Sequence, residues 1–132
     1  MKYSQATDYA LHAMLYLISA VPDKPVGVQL LAEKLGVSPT YLSKMMTKLV
    51  KAGLIQSVPG SGGGYRLRRK QEEISFLDVI QAIEGNASLF ECSLEHESEC
   101  LIQKVVLDAE HHMEQYLQNK KLADLVPQLK TE

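Results

Sequence analysis

The chain has 132 residues, of which 45% are hydrophobic and 23% charged, ordinary values for one globular domain with at most a helical appendage. No stretch approaches the roughly 18 consecutive apolar residues of a membrane span. The segment after Met1-Lys2-Tyr3-Ser4-Gln5 carries Asp8 and His12, unlike a secretory signal, so a cytoplasmic protein is expected. The net charge of −2 conceals an asymmetry: residues 1–70 hold ten Lys/Arg against Asp8, Asp23 and Glu33, and residues 71–132 hold four Lys against thirteen Asp/Glu. A polyanion partner is expected for the first half and a different role for the second.

In chain order, Gln5 to Val21 reads as an amphipathic helix with Leu11, Met14, Leu15 and Ile18 as its apolar stripe, ended by Pro22-Asp23-Lys24-Pro25. Val28 to Leu35 is a second, short helix offering Leu30, Leu31, Ala32 and Leu35 to a core and stopped by Gly36. Ser38-Pro39 supplies an N-cap and a first-position proline for a third helix. That helix runs to about Ala52, buries Leu42, Met45 or Met46, and Leu49, and stops at Gly53. Leu54 to Val58 and Tyr65 to Arg68 are β-prone and enclose Pro59-Gly60-Ser61-Gly62-Gly63-Gly64, a hairpin with a glycine-rich tip. Ser75-Phe76-Leu77-Asp78 is a capping box opening a fourth helix that ends near Gly85. Residues 86–99 are an acidic loop by composition. From about Cys100 to Leu117 a long helix carries Ile102, Val105 or Val106, Ala109, Met113 and Tyr116 on one stripe, and Leu122 to Leu125 is a last short turn.

A helix, a tight turn containing Gly36 and a second helix starting at Ser38 are the elements of a helix-turn-helix. The second helix of such a pair enters the major groove with its N-terminal residues facing base edges. Here these are Ser38, Thr40, Tyr41 and Lys44, with Lys48 and Lys51 placed for the backbone. Arg66, Arg68 and Arg69 flank the hairpin, where a wing meets phosphates or the minor groove. The competing reading is a three-helix packing unit that binds no nucleic acid. It is disfavoured by seven basic residues from Lys44 to Lys70 with no acidic one among them.

The runs Leu31-Ala32-Glu33, Val37-Ser38-Pro39-Thr40-Tyr41-Leu42, Leu49-Val50-Lys51-Ala52-Gly53-Leu54-Ile55 and Val58-Pro59-Gly60-Ser61-Gly62-Gly63-Gly64-Tyr65 resemble the Rrf2 family of bacterial transcription regulators. The resemblance covers nearly the whole chain. It implies a mainly α fold with a small β-hairpin, namely a winged helix-turn-helix plus a long C-terminal dimerisation helix. The expected division is 1–85 for the DNA-binding domain, 86–99 for a sensor loop and 100–132 for the dimerisation helix and C-terminal turn. It also implies a homodimer on a near-palindromic operator in double-stranded DNA. Two departures bear on the target. The family's iron–sulfur cluster regulator has a glutamate where this chain has Ser43 and a wing arginine where it has Pro59, so its operator is not carried over.

Cys92 and Cys100 are the only cysteines. A structural disulfide is not expected in a cytosolic protein, which leaves metal, cluster or redox chemistry open. Glu91 to Cys100 sits where sensing family members place three cysteines around an iron–sulfur cluster, and the middle one is missing here. Asp8 and His12 are spaced i, i+4 and share a helix face. Some members resemble this case, holding a 2Fe–2S cluster with two cysteines plus an acidic residue and a histidine. That implies Asp8, His12, Cys92 and Cys100 as ligands, in keeping with histidine ligation in some such centres. Three alternatives stay open. One is unliganded cysteines, another a thiol–disulfide switch, and the third zinc held by Cys92, His96, Cys100 and His111 or His112, whose spacing matches no usual structural pattern. Glu95, Glu97 and Glu99 are a solvated acidic loop that would raise neighbouring thiol pKa values.

The expected function is a homodimeric, sequence-specific DNA-binding regulator, a repressor that senses redox or iron–sulfur status through Cys92 and Cys100. The alternative is a cofactor-free regulator controlled by a protein partner or a small metabolite. An enzyme is not expected. No Ser/His/Asp set or paired carboxylate has supporting context, and Gly60 to Gly64 lacks the Lys-Ser/Thr of a phosphate loop.

Overall fold

A computed structural model describes residues 3–20, 24–86 and 100–129. In chain order the elements are α1 (Gln5–Ser19), α2 (Val28–Leu35), α3 (Pro39–Lys51), β1 (Ile55–Val58), β2 (Gly64–Leu67), α4 (Phe76–Glu84), α5 (Leu101–Gln118) and α6 (Val126–Leu129), with 3₁₀ turns at Gln71–Glu73 and Leu122–Leu125. None of the described helices is long and apolar enough to cross a membrane.

Local chemistry sets most of these boundaries. Ser38 accepts a hydrogen bond from the Tyr41 N–H at 3.1 Å, with Pro39 in the first turn of α3. Ser75 and Asp78 exchange side-chain-to-backbone bonds of 3.0 Å at the start of α4, a complete capping box. Gly36, at φ 71°, closes α2 by donating to the carbonyls of Ala32 and Glu33.

The core gathers Ala10, Ala13, Met14 and Leu17 of α1, Leu31 of α2, and Leu42, Met45, Met46 and Leu49 of α3, with Ile55, Ile74, Val79 and Leu122. Both Met45 and Met46 are buried, where the sequence suggested one or the other. The buried face of α1 is rotated from the expected stripe: Leu11 and Leu15 are only half-buried, whereas Ala10 and Ala13 are fully enclosed. The cause is the close seating of α4 against α1, which small side chains permit. Leu30 stands in solvent, and α2 contributes Leu31 and Ala32 instead. At the far end of the chain, Leu122 enters this same core and Ser75 bridges to Lys121.

The two-stranded antiparallel sheet pairs Ile55 with Leu67, Gln56 with Arg66, Ser57 with Tyr65 and Val58 with Gly64. An isolated bridge fixes the hairpin to the body, with Val26 N–H donating to Tyr65 O and Tyr65 N–H to Val26 O, each at 2.9 Å. Gly64 makes that approach possible. Its φ is 146°, and a Cβ there would collide with the Val26 carbonyl. A helix-turn-helix with a β wing pinned to the residue before Gly27 is the result.

The start of α1 has no cap from Ser4's own side chain. The Glu84 carboxylate at the end of α4 serves instead, accepting from Ser4 N (2.7 Å), Ser4 Oγ (2.9 Å) and Thr7 Oγ1 (2.5 Å). The Thr7 bond first, then those from Ser4 with Lys48 nearby, hold the Glu84 carboxyl below its ordinary value of 4.5 against an opposing desolvation.

Two outcomes are expected. Gly64→Ala should lose about 1–3 kcal/mol of unfolding free energy in a urea melt through strain and the lost bridge; an unchanged midpoint would mean the bridge is not rigid. For Glu84 the folded pKa lies below the unfolded one. Its contribution is therefore present above pH 4.5 and lost as pH falls below that value. Glu84→Gln should lower Tm at neutral pH and flatten the fall of Tm on acidification, as read by circular dichroism.

Candidate nucleic-acid interface

The face of α3 opposite its core carries the candidate contacts. Leu42, Met45, Met46 and Leu49 point inward, and Thr40, Tyr41, Lys44, Thr47, Lys48 and Lys51 are exposed. The 3.6-residue period thus separates a dry face from a basic one, and the helix N-terminus adds its own partial positive charge. Ser38 is exposed, and its oxygen is already engaged as the cap, so it orients α3 while its O–H remains a donor. Ser43 is half-buried, and its carbonyl accepts from Thr47 Oγ1 at 2.8 Å.

On the wing, Arg66 lies opposite Gln56 in the ladder. In the carboxamide orientation that satisfies both side chains, the Gln56 oxygen accepts from Arg66 Nε and Nη2 at 2.5 and 2.8 Å. The guanidinium is thereby held by two of its donors and keeps others for a phosphate. Arg68 is exposed, with its N–H on the Leu54 carbonyl. Arg69 approaches Asp78 at 3.8 Å. Pro59 to Gly62, the tip, is exposed. The residue-by-residue sequence reading missed Gln56, although the hairpin register would have placed it beside Arg66.

The other candidate group divides. Asp8 and His12 come together, with His12 Nδ1 2.8 Å from the Asp8 carbonyl oxygen and 3.4 Å from Asp8 Oδ1. Their side chains are 65% and 62% exposed. Cys100 is half-buried and caps α5, its Sγ accepting from Gln103 N–H at 3.5 Å. Cys92 and His96 lie outside the described residues. Among the described residues no three His, Cys, Asp or Glu side chains are gathered closely enough for a metal ion. Asp8, His12 and Cys100 therefore do not meet within one chain, and exposed His111 and His112 on α5 join no such group. The donor types suit an iron–sulfur cluster, and this half of the set is preformed.

Tyr9, next to Asp8, packs edge-on against Tyr41 of α3, with centroids 6.0 Å apart and planes at 83°. It joins the Asp8–His12 turn to the start of the recognition helix, a link the one-dimensional pattern did not disclose. On α5, Leu101, Ile102, Val105 and Tyr116 are 74%, 70%, 69% and 63% exposed, an apolar row over which only the Lys120 ammonium reaches among the described residues, 5.0 Å from the Tyr116 ring centroid.

Residues 3–128 match the Rrf2 family, described as an iron-dependent transcriptional regulator. The chain is 32% identical over 130 residues to the HTH-type transcriptional regulator IscR of Aliivibrio salmonicida, an alignment covering 96% of this chain and 77% of that one. Among solved structures it is similar to CymR, the global cysteine regulator of B. subtilis, with a TM-score of 0.81 and 26% identity over 96% and 97% of the two chains. It is also similar to IscR of T. potens, with a TM-score of 0.79 and 30% identity over 98% of this chain and 88% of that one.

Proposed function

This chain belongs to the Rrf2 family and is a DNA-binding transcriptional regulator, not an enzyme, and on that footing we propose that it is a bacterial cytoplasmic repressor working as a homodimer. The observation that carries the DNA-reading surface is the separation on α3 of a buried Leu/Met face from an exposed Lys/Thr face, beside a wing arginine aligned by Gln56. In this reading Thr40, Tyr41 and Lys44 face base edges, Ser38 sets the helix entry, and Lys48, Arg66 and Arg68 contact phosphates. The exposed row on α5 supports a two-fold pairing of that helix, since burying it needs a second apolar surface. A near-palindromic operator with half-sites about one or two helical turns apart follows from such a dimer.

The regulatory signal is proposed to act at Asp8, His12, Cys92 and Cys100. Cys100 begins α5, the proposed pairing helix, and does not meet Asp8 or His12 within its own chain. A 2Fe–2S group is therefore best held between Asp8 and His12 of one protomer and Cys92 and Cys100 of its partner. Such a group supplies one-electron redox chemistry when bound. The chain's own part is to hold His12 through Nδ1, leaving Nε2 as the outward ligand atom, and to relay the position of the Asp8–His12 turn through Tyr9 to Tyr41. A shift there moves the first turn of α3, which alters operator affinity.

Lys44→Ala and Arg66→Ala should each weaken duplex binding and reduce the slope of log K against log salt by about 0.9. Slopes unchanged from wild type, measured by fluorescence anisotropy, would mean that neither touches phosphate. Protein purified anaerobically should absorb in the visible and carry iron and sulfide, and Cys92→Ala, Cys100→Ala and His12→Ala should each lose that absorption. Colourless protein with neither element would reject the cluster and leave the DNA-binding assignment intact.

A further inference from the structure

A cleft of about 540 Å³ opens where the end of α1, the Val26 bridge, the hairpin and residues 69–71 meet, within the size range of small-molecule sites. Its floor is apolar, made by Leu17 and Ile18, both 6% exposed. Among the described residues its charged lining has one sign: Lys24, Arg66, Arg69 and Lys70 contribute, and no Asp or Glu does. Arg69 has the distant partner Asp78 at 3.8 Å, and neither the Lys24 nor the Lys70 ammonium has an ion-pair partner among the described residues.

Tyr65 supplies a second and independent observation. It is 8% exposed and lines the cleft. Its backbone is fully used in the bridge to Val26, and its hydroxyl has no hydrogen-bond partner among the described residues. No side-chain oxygen or nitrogen among the described residues is both sealed from solvent and unsatisfied. The Tyr65 hydroxyl is consequently accessible to solvent, and Tyr65 is among the residues lining the cleft. A phenol donor, several cations and a hydrocarbon floor meet in one concavity.

We infer that this cleft is a binding site for a small organic anion, a carboxylate carrying an apolar tail. The carboxylate sits among Lys24, Arg66 and Lys70 with the Tyr65 hydroxyl donating to it, and the tail covers Leu17 and Ile18. The anion relieves the mutual repulsion of the cations, which a neutral hydrocarbon does not. The tail removes apolar surface from water, which inorganic phosphate does not. A duplex offers phosphates on a convex surface and no hydrocarbon for the floor. The site goes beyond the DNA-reading surface and does not depend on it, because binding is read on the free protein.

The test is an amide NMR titration of the full chain with hexanoate, run beside hexanol and inorganic phosphate at constant ionic strength. Hexanoate should produce saturable shifts at Val26, Tyr65 and Leu67, and the other two should bind at least about tenfold more weakly. Lys24→Gln changes an exposed residue and Tyr65→Phe keeps the packing. Each should weaken hexanoate binding about threefold or more with an unaltered melting temperature. Shifts that never saturate or fall elsewhere would overturn the inference. So would phosphate binding as well as hexanoate, which would make the cleft a general anion surface, or hexanol doing so, which would make it merely apolar. Undiminished hexanoate binding by both variants would overturn it too.

Discussion

Two hydrogen bonds of 2.9 Å between Val26 and Tyr65 join the wing to the body of the protein, and the rest of the functional surface depends on them. They tie β2 to the residue just before Gly27, the N-cap of α2, so the hairpin is an extension of the helix-turn-helix and not a loose arm. The bridge demands a bare backbone at Gly64. Beside it, the β1–β2 ladder sets Gln56 opposite Arg66, and with that pairing the direction of the wing's guanidinium. The cleft beside the hairpin exists because the same bridge holds β2 against the end of α1. Arg66 takes part in both surfaces, so the charge presented by the wing and the charge lining the cleft are one and the same.

Much of this was legible in the amino-acid pattern wherever the cause is local. Ser38-Pro39, Gly36 and the Ser75–Asp78 box act over three or four residues, and the structure carries each of them out. The helix-turn-helix followed from the Gly36 turn and the Ser38-Pro39 start, the wing from the glycine-tipped hairpin and the family resemblance, and Lys44 and Lys48 lie on the exposed face of α3. What was not legible depends on distant parts of the chain. Ala10 and Ala13 displace Leu11 and Leu15 from the centre of the core because α4 approaches α1 closely, and hydrophobic size is then a poor guide to burial. The capping of α1 by Glu84 and the burial of Leu122 against α1 join segments with no common local signal. The Tyr9–Tyr41 contact is of the same kind.

The division of charge noted at the outset acquires a physical meaning. The cations of the first half are spread over the outward face of α3, the wing and the cleft. In the second half, Glu84 caps α1 and Asp78 caps α4 and approaches Arg69. Tyr3 is raised above its ordinary pKa by burial and then by Glu114, Glu110 and Glu84, which marks an acidic surface where α1, α4 and α5 come together. The cations of α3 and the wing draw a duplex toward that face. The exposed apolar row of α5 is the surface proposed to pair with a second copy.

Two such units, paired through α5, are proposed to present two recognition helices to one duplex. Selection of binding sites from a randomised duplex pool, followed by footprinting of the enriched sequence, tests this arrangement most directly. An inverted repeat, protected on one face at half-sites about one or two helical turns apart, is the expected result. Enrichment of a single asymmetric half-site, or no enrichment at all, would contradict it.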